Sequence, residues 1–412
     1  MKDYQVHQFA NGLRLVHKQV NNTRVMHCGF VLDIGSRDEK KTQQGLAHFW
    51  EHMAFKGTNK RKAFHIINRL DSVGGELNAF TTKEKIFFYA SVLSKYFDMA
   101  VELLTDITFD SIFPEKQIEK ERVVILDEMA MYLDNPDEAI QDDLDNVVFG
   151  DHALGNNILG TIDTVKSIVK DDFFNFIRQN LSTERIVFSV VGPRSFKETF
   201  RVVSKYLINI PAYSSGMKRV KPKSVFGEKK ILDKNFTRAY CAIGRDSYSI
   251  KDIKRIPFFM LTNILGGPAM NSRLNLSLRE KYGYVYSVDA SFSSFTDSGI
   301  FGIFFGTEKK FLNRSIKIVL TELKKLRGQK LGSLQLYKAK QQIKGQLAIA
   351  EENNTNLMIM MGRSLLDLDR IDHIDIIFQQ IDQQTSTSLM EIAESMFIED
   401  QMNYLVFNPN IN

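Results

Sequence analysis

Two hydrophobic rhythms alternate along this chain. In short stretches apolar residues alternate with polar ones or run together, which predicts strands; in longer stretches they recur every three or four positions, which predicts helices. The first twenty residues, MKDYQVHQFANGLRLVHKQV, alternate about Asn11-Gly12, a pair suited to a tight turn, and read as strand–turn–strand. RVMHCGFVLDIG, KIFFYASVL and RIVFSVVG (185–192) read as strands, whereas KYFDMAVELLTDITFD and EKQIEKERVVILDEMAMYL read as helices. Strands mixed with hairpins and helices favour an α+β fold over a strictly parallel sheet.

The rhythm breaks near the midpoint, at NIPAYSSGMKRVKPKSVFGEKK, where proline, glycine, serine and bare charge cluster as in a linker. Beyond it the order of elements repeats. NFTRAYCAIGRD (235–246) echoes NTRVMHCGFVLDIGSRDE (22–39), each with a cysteine shortly after Thr-Arg and a helix following. LREKYGYVYSVDASFSSFTDSGIFGIFF then answers LDSVGGELNAFTTKEKIFFYASV, and each leads into a long charged helix. The repetition predicts two related lobes, each a mainly antiparallel sheet packed with helices. The N-terminal lobe is expected over 1–212, a linker over 213–230 and the C-terminal lobe over 231–412.

Bulk properties narrow the function classes. A chain of 412 residues exceeds one comfortable core, and 43% hydrophobic residues exclude a disordered protein. The net charge of +5 is small for this length, and the densest basic run, Lys218 to Lys223, lacks interleaved aromatics, which speaks against nucleic acid. No segment approaches the roughly 18 consecutive apolar residues of a membrane span, and the first residues lack the apolar core of a secretory signal. Two cysteines, Cys28 and Cys241, cannot build a disulfide framework and fit a reducing compartment. A cytoplasmic protein without membrane or nucleic-acid partners is the expectation.

GLAHFWEHMAFKGT (45–58) carries the candidate chemistry. Only eight histidines occur in the chain, yet His48 and His52 stand four apart, on one face of a helix, with Glu51 between them. Two imidazoles so placed can share a metal ion, and Glu51 can reach a water on that metal without filling a ligand position. H-x-x-E-H is the inverted zincin pattern. A catalytic zinc takes three protein ligands, so a third must come from elsewhere. The helix EKERVVILDEM offers Glu121 and Glu128, two turns apart on one face, with Asp127 rotated away; spacing alone leaves Glu121 and Glu128 both open.

With these residues the chain resembles the M16 metallopeptidases, the pitrilysin and insulinase family. It is most like the branch of the mitochondrial processing peptidase β subunit and its single-chain bacterial relatives. NGLRLV, GGELNAFTTKE (74–84), ALGNNILGT (153–161) and LGGPAMNSRLNLSLREKYGYVYSV (265–288) are similar to family blocks. Trp50 departs from the aliphatic residue usual there, which bears on pocket shape.

The resemblance implies one Zn2+ per chain on His48, His52 and Glu128, with Glu51 as general base and Glu121 supporting the metal site. It also implies that Arg279 and Tyr286 reach the active site from the second lobe. Finally, it implies that ELNAFTT (76–82) pairs with substrate backbone through Asn78 and Ala79. Phe80 is then a pocket wall or, alternatively, core packing. The implied activity is a zinc endopeptidase acting on unfolded or short peptides within a closed chamber. A homodimer is expected, or a heterodimer with a related inactive chain. The alternative is a non-catalytic scaffold or peptide-binding subunit of the same fold.

Overall fold

A computed structural model describes residues 4–410. Its first sheet comprises β1 (Gln5–Gln8), β2 (Arg14–Gln19), β3 (Val25–Leu32), β4 (Glu76–Thr81), β5 (Ile86–Leu93) and β6 (Ile186–Gly192), in the order β1-β2-β6-β3-β5-β4. The second comprises β7 (Lys229–Lys234), β8 (Ala239–Asp246), β9 (Val285–Ser294), β10 (Gly299–Thr307) and β11 (Asn403–Pro409), in the order β7-β11-β8-β10-β9. Leaving β1 aside, the two orders correspond strand for strand. Each sheet has one parallel pair at the same place, β2–β6 and β7–β11, and is otherwise antiparallel. The α+β fold of two related lobes is therefore present. Among the described residues, no helix is long and apolar enough to cross a membrane.

Strand periodicity explains how the first sheet is buried on both faces. In β6, Ile186, Phe188 and Val190 point into the main core, while Val187 and Val191 point the other way. The main-core face is covered by helices from the first half of the chain. The other face meets Leu357, Met358, Met361 and Leu365 of the helix Asn354–Leu368. The methionine-rich run there is thus core packing. In the second sheet Cys241 and Ile243 face one core, whereas Ala242 and Leu405 face Ile140, Leu144 and Val148 of the helix Pro136–Phe149.

The compact units consequently differ from consecutive lobes. One consists of Met1–Met129, Asn157–Arg219 and Ile349–Ile371; the other of Ala130–Asn156, Val220–Ala348 and Asp372–Asn412. The passage at Arg219–Val220 falls within the expected linker. Two further segments, however, belong with the sheet from the opposite half of the sequence. The physical reason is that each half covers one face of its own sheet and leaves the other apolar.

A buried charge cluster ties the first unit together. Arg219 donates to Asp33 Oδ1 at 2.7 Å, to both carboxylate oxygens of Asp38 at 2.9 and 2.7 Å, and to the Glu84 carbonyl at 3.0 Å. Lys85 Nζ reaches Asp367 Oδ1 at 2.5 Å, and Arg37 reaches Glu84 at 2.5 Å. Burial alone would raise the Asp33 carboxyl, but Arg219, Lys85 and Arg185 hold it below its ordinary value. This contribution is complete above that ordinary value and is lost as pH falls through the lowered one. Replacing Arg219 by Ala leaves buried carboxylates short of a partner. It is expected to cost the first unit about 3–5 kcal/mol, read from its denaturant transition.

Candidate metal centre

The motif helix (Leu46–Ala54) buries Leu46, Ala47, Phe49, Trp50, Met53 and Ala54, chiefly against the face of the first sheet that forms the main core. That packing leaves His48, Glu51 and His52 for the remaining stripe. Trp50 packs beside Phe88 and Phe176, within the core. The helix starts at Gly45, which has φ +91 and no side chain to cap it. Glu39 supplies the cap, its Oε2 accepting from the Gly45 N–H at 2.9 Å and its Oε1 from the Ala47 N–H at 2.7 Å. Burial pushes the Glu39 carboxyl up to about 8, against the pull of those two donors. A Cβ on Gly45 would collide with the Leu159 carbonyl, and one on Gly160 with that of Gln44. The segment 153–161 therefore backs directly onto the start of the motif helix.

His48, His52 and Glu128 each present one ligand atom within 4.8 Å of the others. Glu128 Oε2 lies 3.8 Å from His48 Nε2 and 3.6 Å from His52 Nε2. Glu121 sits elsewhere: its Oε2 is 3.3 Å from His52 Nδ1 and its Oε1 is 2.6 Å from Lys56 Nζ. The two glutamates that spacing left open are thus distinguished by which imidazole nitrogen they meet. Glu121 engages one side of the His52 ring and leaves Nε2 directed at Glu128, an arrangement that fixes ring orientation.

The trio fits zinc. Two imidazole nitrogens and a carboxylate oxygen are among its ordinary donors, and tetrahedral bonds of about 2.0–2.1 Å set donors roughly 3.3–3.4 Å apart, a small contraction from the 3.8 and 3.6 Å between Glu128 and the two imidazoles. Burial, with His52 adding to it, lowers His48 to about 3, so its imidazole is neutral, as a ligand must be. Glu51 stands outside the trio. Its Oε2 accepts the Thr81 hydroxyl at 2.6 Å, and burial raises its carboxyl above the ordinary value.

The other predicted residues stand on different elements. Asn78, Ala79 and Phe80 occupy β4, the outer strand of the first sheet, opposite Tyr89, Phe88 and Phe87. Phe80 stacks on Phe87 with ring centroids 4.2 Å apart and meets the edge of Tyr89. Arg279 and Tyr286, in the second unit, come together with the guanidinium 5.9 Å from the tyrosine ring. Arg279 lies in a π-helical turn, Asn275–Lys281, a geometry enriched at functional sites, and Tyr286 is 78% exposed. Cys28 and Cys241 are buried free thiols, both pushed up by burial.

Sequence reasoning did not find Glu39, Lys56 or Thr81. Lys56 stands four after His52, a spacing that could have revealed it. Glu39 and Thr81 reach the site through loop and sheet geometry, for which no helical period exists.

An inverted HxxEH helix with a converging carboxylate, set in a two-sheet α+β fold, defines a metallopeptidase type of scaffold. Comparison with known proteins narrows this. Residues 14–162 match the family model of insulinase (peptidase family M16), and residues 167–343 match that of the peptidase M16 inactive domain. An uncharacterized zinc protease of Bacillus subtilis, YmxG, is 32% identical over 95% of both chains. The mitochondrial-processing peptidase subunit beta of Saccharomyces cerevisiae is 28% identical over 93% of this chain and 86% of its own. A Helicobacter pylori protease structure shares the fold with a TM-score of 0.91 at 19% identity, covering 99% of this chain and 100% of that one. The chain belongs to peptidase family M16, in its processing-peptidase-like branch.

Removing the borrowed cap should loosen the motif helix. Glu39→Ala is expected to lower stability by about 1–2 kcal/mol, the usual cost of a lost N-cap, measured by chemical denaturation.

Proposed function

We propose that this chain is a zinc-dependent endopeptidase that hydrolyses unfolded or short peptides. The observation that carries this reading is the convergence of His48 Nε2, His52 Nε2 and Glu128 Oε2, with Glu51 beside them and outside the trio. His48, His52 and Glu128 would hold one zinc ion. When bound, that ion would polarise the scissile carbonyl and lower the pKa of water to about 7. Membership of a family whose relatives are named zinc proteases supports the assignment.

In this mechanism Glu51 is the general base: its carboxylate takes a proton from the attacking water and returns it to the leaving amine nitrogen. Glu121 accepts from His52 Nδ1–H and keeps the ring turned so that Nε2 is available, while Lys56 keeps Glu121 charged and in place. Arg279 and Tyr286 take the part of donors to the oxyanion, as the family resemblance implies. The peptide adds as a strand to β4, whose far edge has no strand partner among the described residues, with Asn78 and Ala79 supplying backbone contacts. A non-catalytic scaffold would have no use for Glu51 beside a complete donor set.

We further propose a closed chamber formed by a dimer, acting in the cytoplasm. The yeast relative is named as a subunit, which supports assembly; a homodimer is our reading, with a related inactive chain as the other partner to test.

A pool of unstructured peptides incubated with zinc-loaded protein and read by mass spectrometry should show cleavage. Glu51→Gln should retain zinc and lose cleavage by at least ~100-fold, the usual scale of a general base. Intact peptides with the wild-type chain, alone and with candidate partner subunits, would refute the reading. Glu121→Ala should weaken zinc binding by about 10–100-fold in a chelator competition, the usual effect of losing a carboxylate behind a ligating histidine.

A further inference from the structure

We propose that Thr81 is a positioning residue for Glu51 and couples that carboxylate to the strand on which the peptide is held. The inference rests on the reading of Glu51 as the base and of β4 as the peptide-binding strand.

The connection is direct. Thr81 Oγ1 donates to Glu51 Oε2 at 2.6 Å, a short charge-assisted bond. A glutamate side chain has three rotatable bonds, and a carboxylate serving as base must be presented in one orientation. Pinning Oε2 leaves Oε1 as the oxygen free to take a proton. Threonine suits this task because its β-branched side chain has few rotamers, so the hydroxyl direction is nearly set by the backbone.

That backbone is firmly mounted. Thr81 is the last residue of β4 and pairs with Ile86 of β5. Alternation along the strand puts Thr81 on the same face as Leu77 and Ala79, which pack against the core containing the motif helix. Asn78 and Phe80 take the opposite face. Just beyond, Thr82 exchanges backbone and hydroxyl bonds with Lys85, and the Arg37 N–H bonds the Lys83 carbonyl at 2.7 Å. The Lys85–Asp367 and Arg37–Glu84 pairs then anchor the same turn.

The arrangement has a functional consequence. At about 3.3 Å per residue, Thr81 is roughly 7 Å along the strand from Ala79. A peptide paired at Asn78 and Ala79 is therefore registered against the same rigid strand that aims the base. Binding and proton transfer share one ruler.

The test compares Thr81→Val, which keeps shape and removes the donor, with Thr81→Ser, which keeps the donor, and with Glu51→Gln. Expected for Thr81→Val is an unchanged melting temperature, zinc content and KM, with kcat reduced about 10–100-fold, part of what a general base supplies. Thr81→Ser should recover most of the loss. An unchanged kcat in Thr81→Val, a loss confined to KM, or equal impairment of the valine and serine variants would overturn the proposal. A crystal structure of Thr81→Val gives a readout independent of turnover: the Glu51 carboxylate should leave its wild-type orientation, and finding it unmoved refutes the positioning role. If wild type and Glu51→Gln cut peptides alike, the reading of Glu51 as the base fails, and if neither cuts, alone and with candidate partner subunits, the peptidase reading fails; in both cases the crystal structure still decides whether Thr81 holds the carboxylate.

Discussion

The placement of a nine-residue helix governs the candidate site. A helix this short is not stable alone in water, so its position comes from its surroundings. Three of them act together. Glu39 satisfies N–H groups that the helix cannot satisfy itself. Gly45 and Gly160 let two backbones approach where any side chain would hold them apart. An apolar stripe of six buried side chains locks the rotation about the axis. Once rotation and starting point are set, His48 must be buried and neutral, and the stripe left over can only present His48, Glu51 and His52.

Beside that helix two of the functional side chains, His52 and Glu51, are each held twice. His52 is set by the helix and again by Glu121, which Lys56 holds in turn. Glu51 is set by the helix and again by the hydroxyl of Thr81. Supporting groups of this kind come from other elements, so the geometry of the trio reports on the packing of the whole unit. Rigid support from strands and helices gives tighter placement than loops can.

The sequence made the motif and the fold class legible for different reasons. His48, Glu51 and His52 stand at helical spacing on one short segment, where local geometry fixes their relation. The repeated order of elements foretold two matching sheets, down to corresponding strands. The choice between Glu121 and Glu128 was not legible in the spacing and came only through the family resemblance, because both share a face of one helix and the partner helix decides which imidazole nitrogen each meets. The stacking of Phe80 on Phe87, its partner across the sheet, was likewise not legible. The helix after Pro136 and the sheet covered by Met358 and Met361 depend on contacts hundreds of residues apart, which periodicity does not encode.

The helix Asn354–Leu368 gives the protein a temporal order as well as a spatial one. It seals one face of a sheet whose other strands are all made by residue 192, and Asp367 completes the ion pair of Lys85. On a chain synthesised from the N-terminus, that sheet waits with Val16, Val187 and Val191 uncovered while more than a hundred and fifty further residues are added. The first unit to be started is thus finished only after most of the second has been made, so the chain matures as a pair, with neither unit completed by its own half of the sequence.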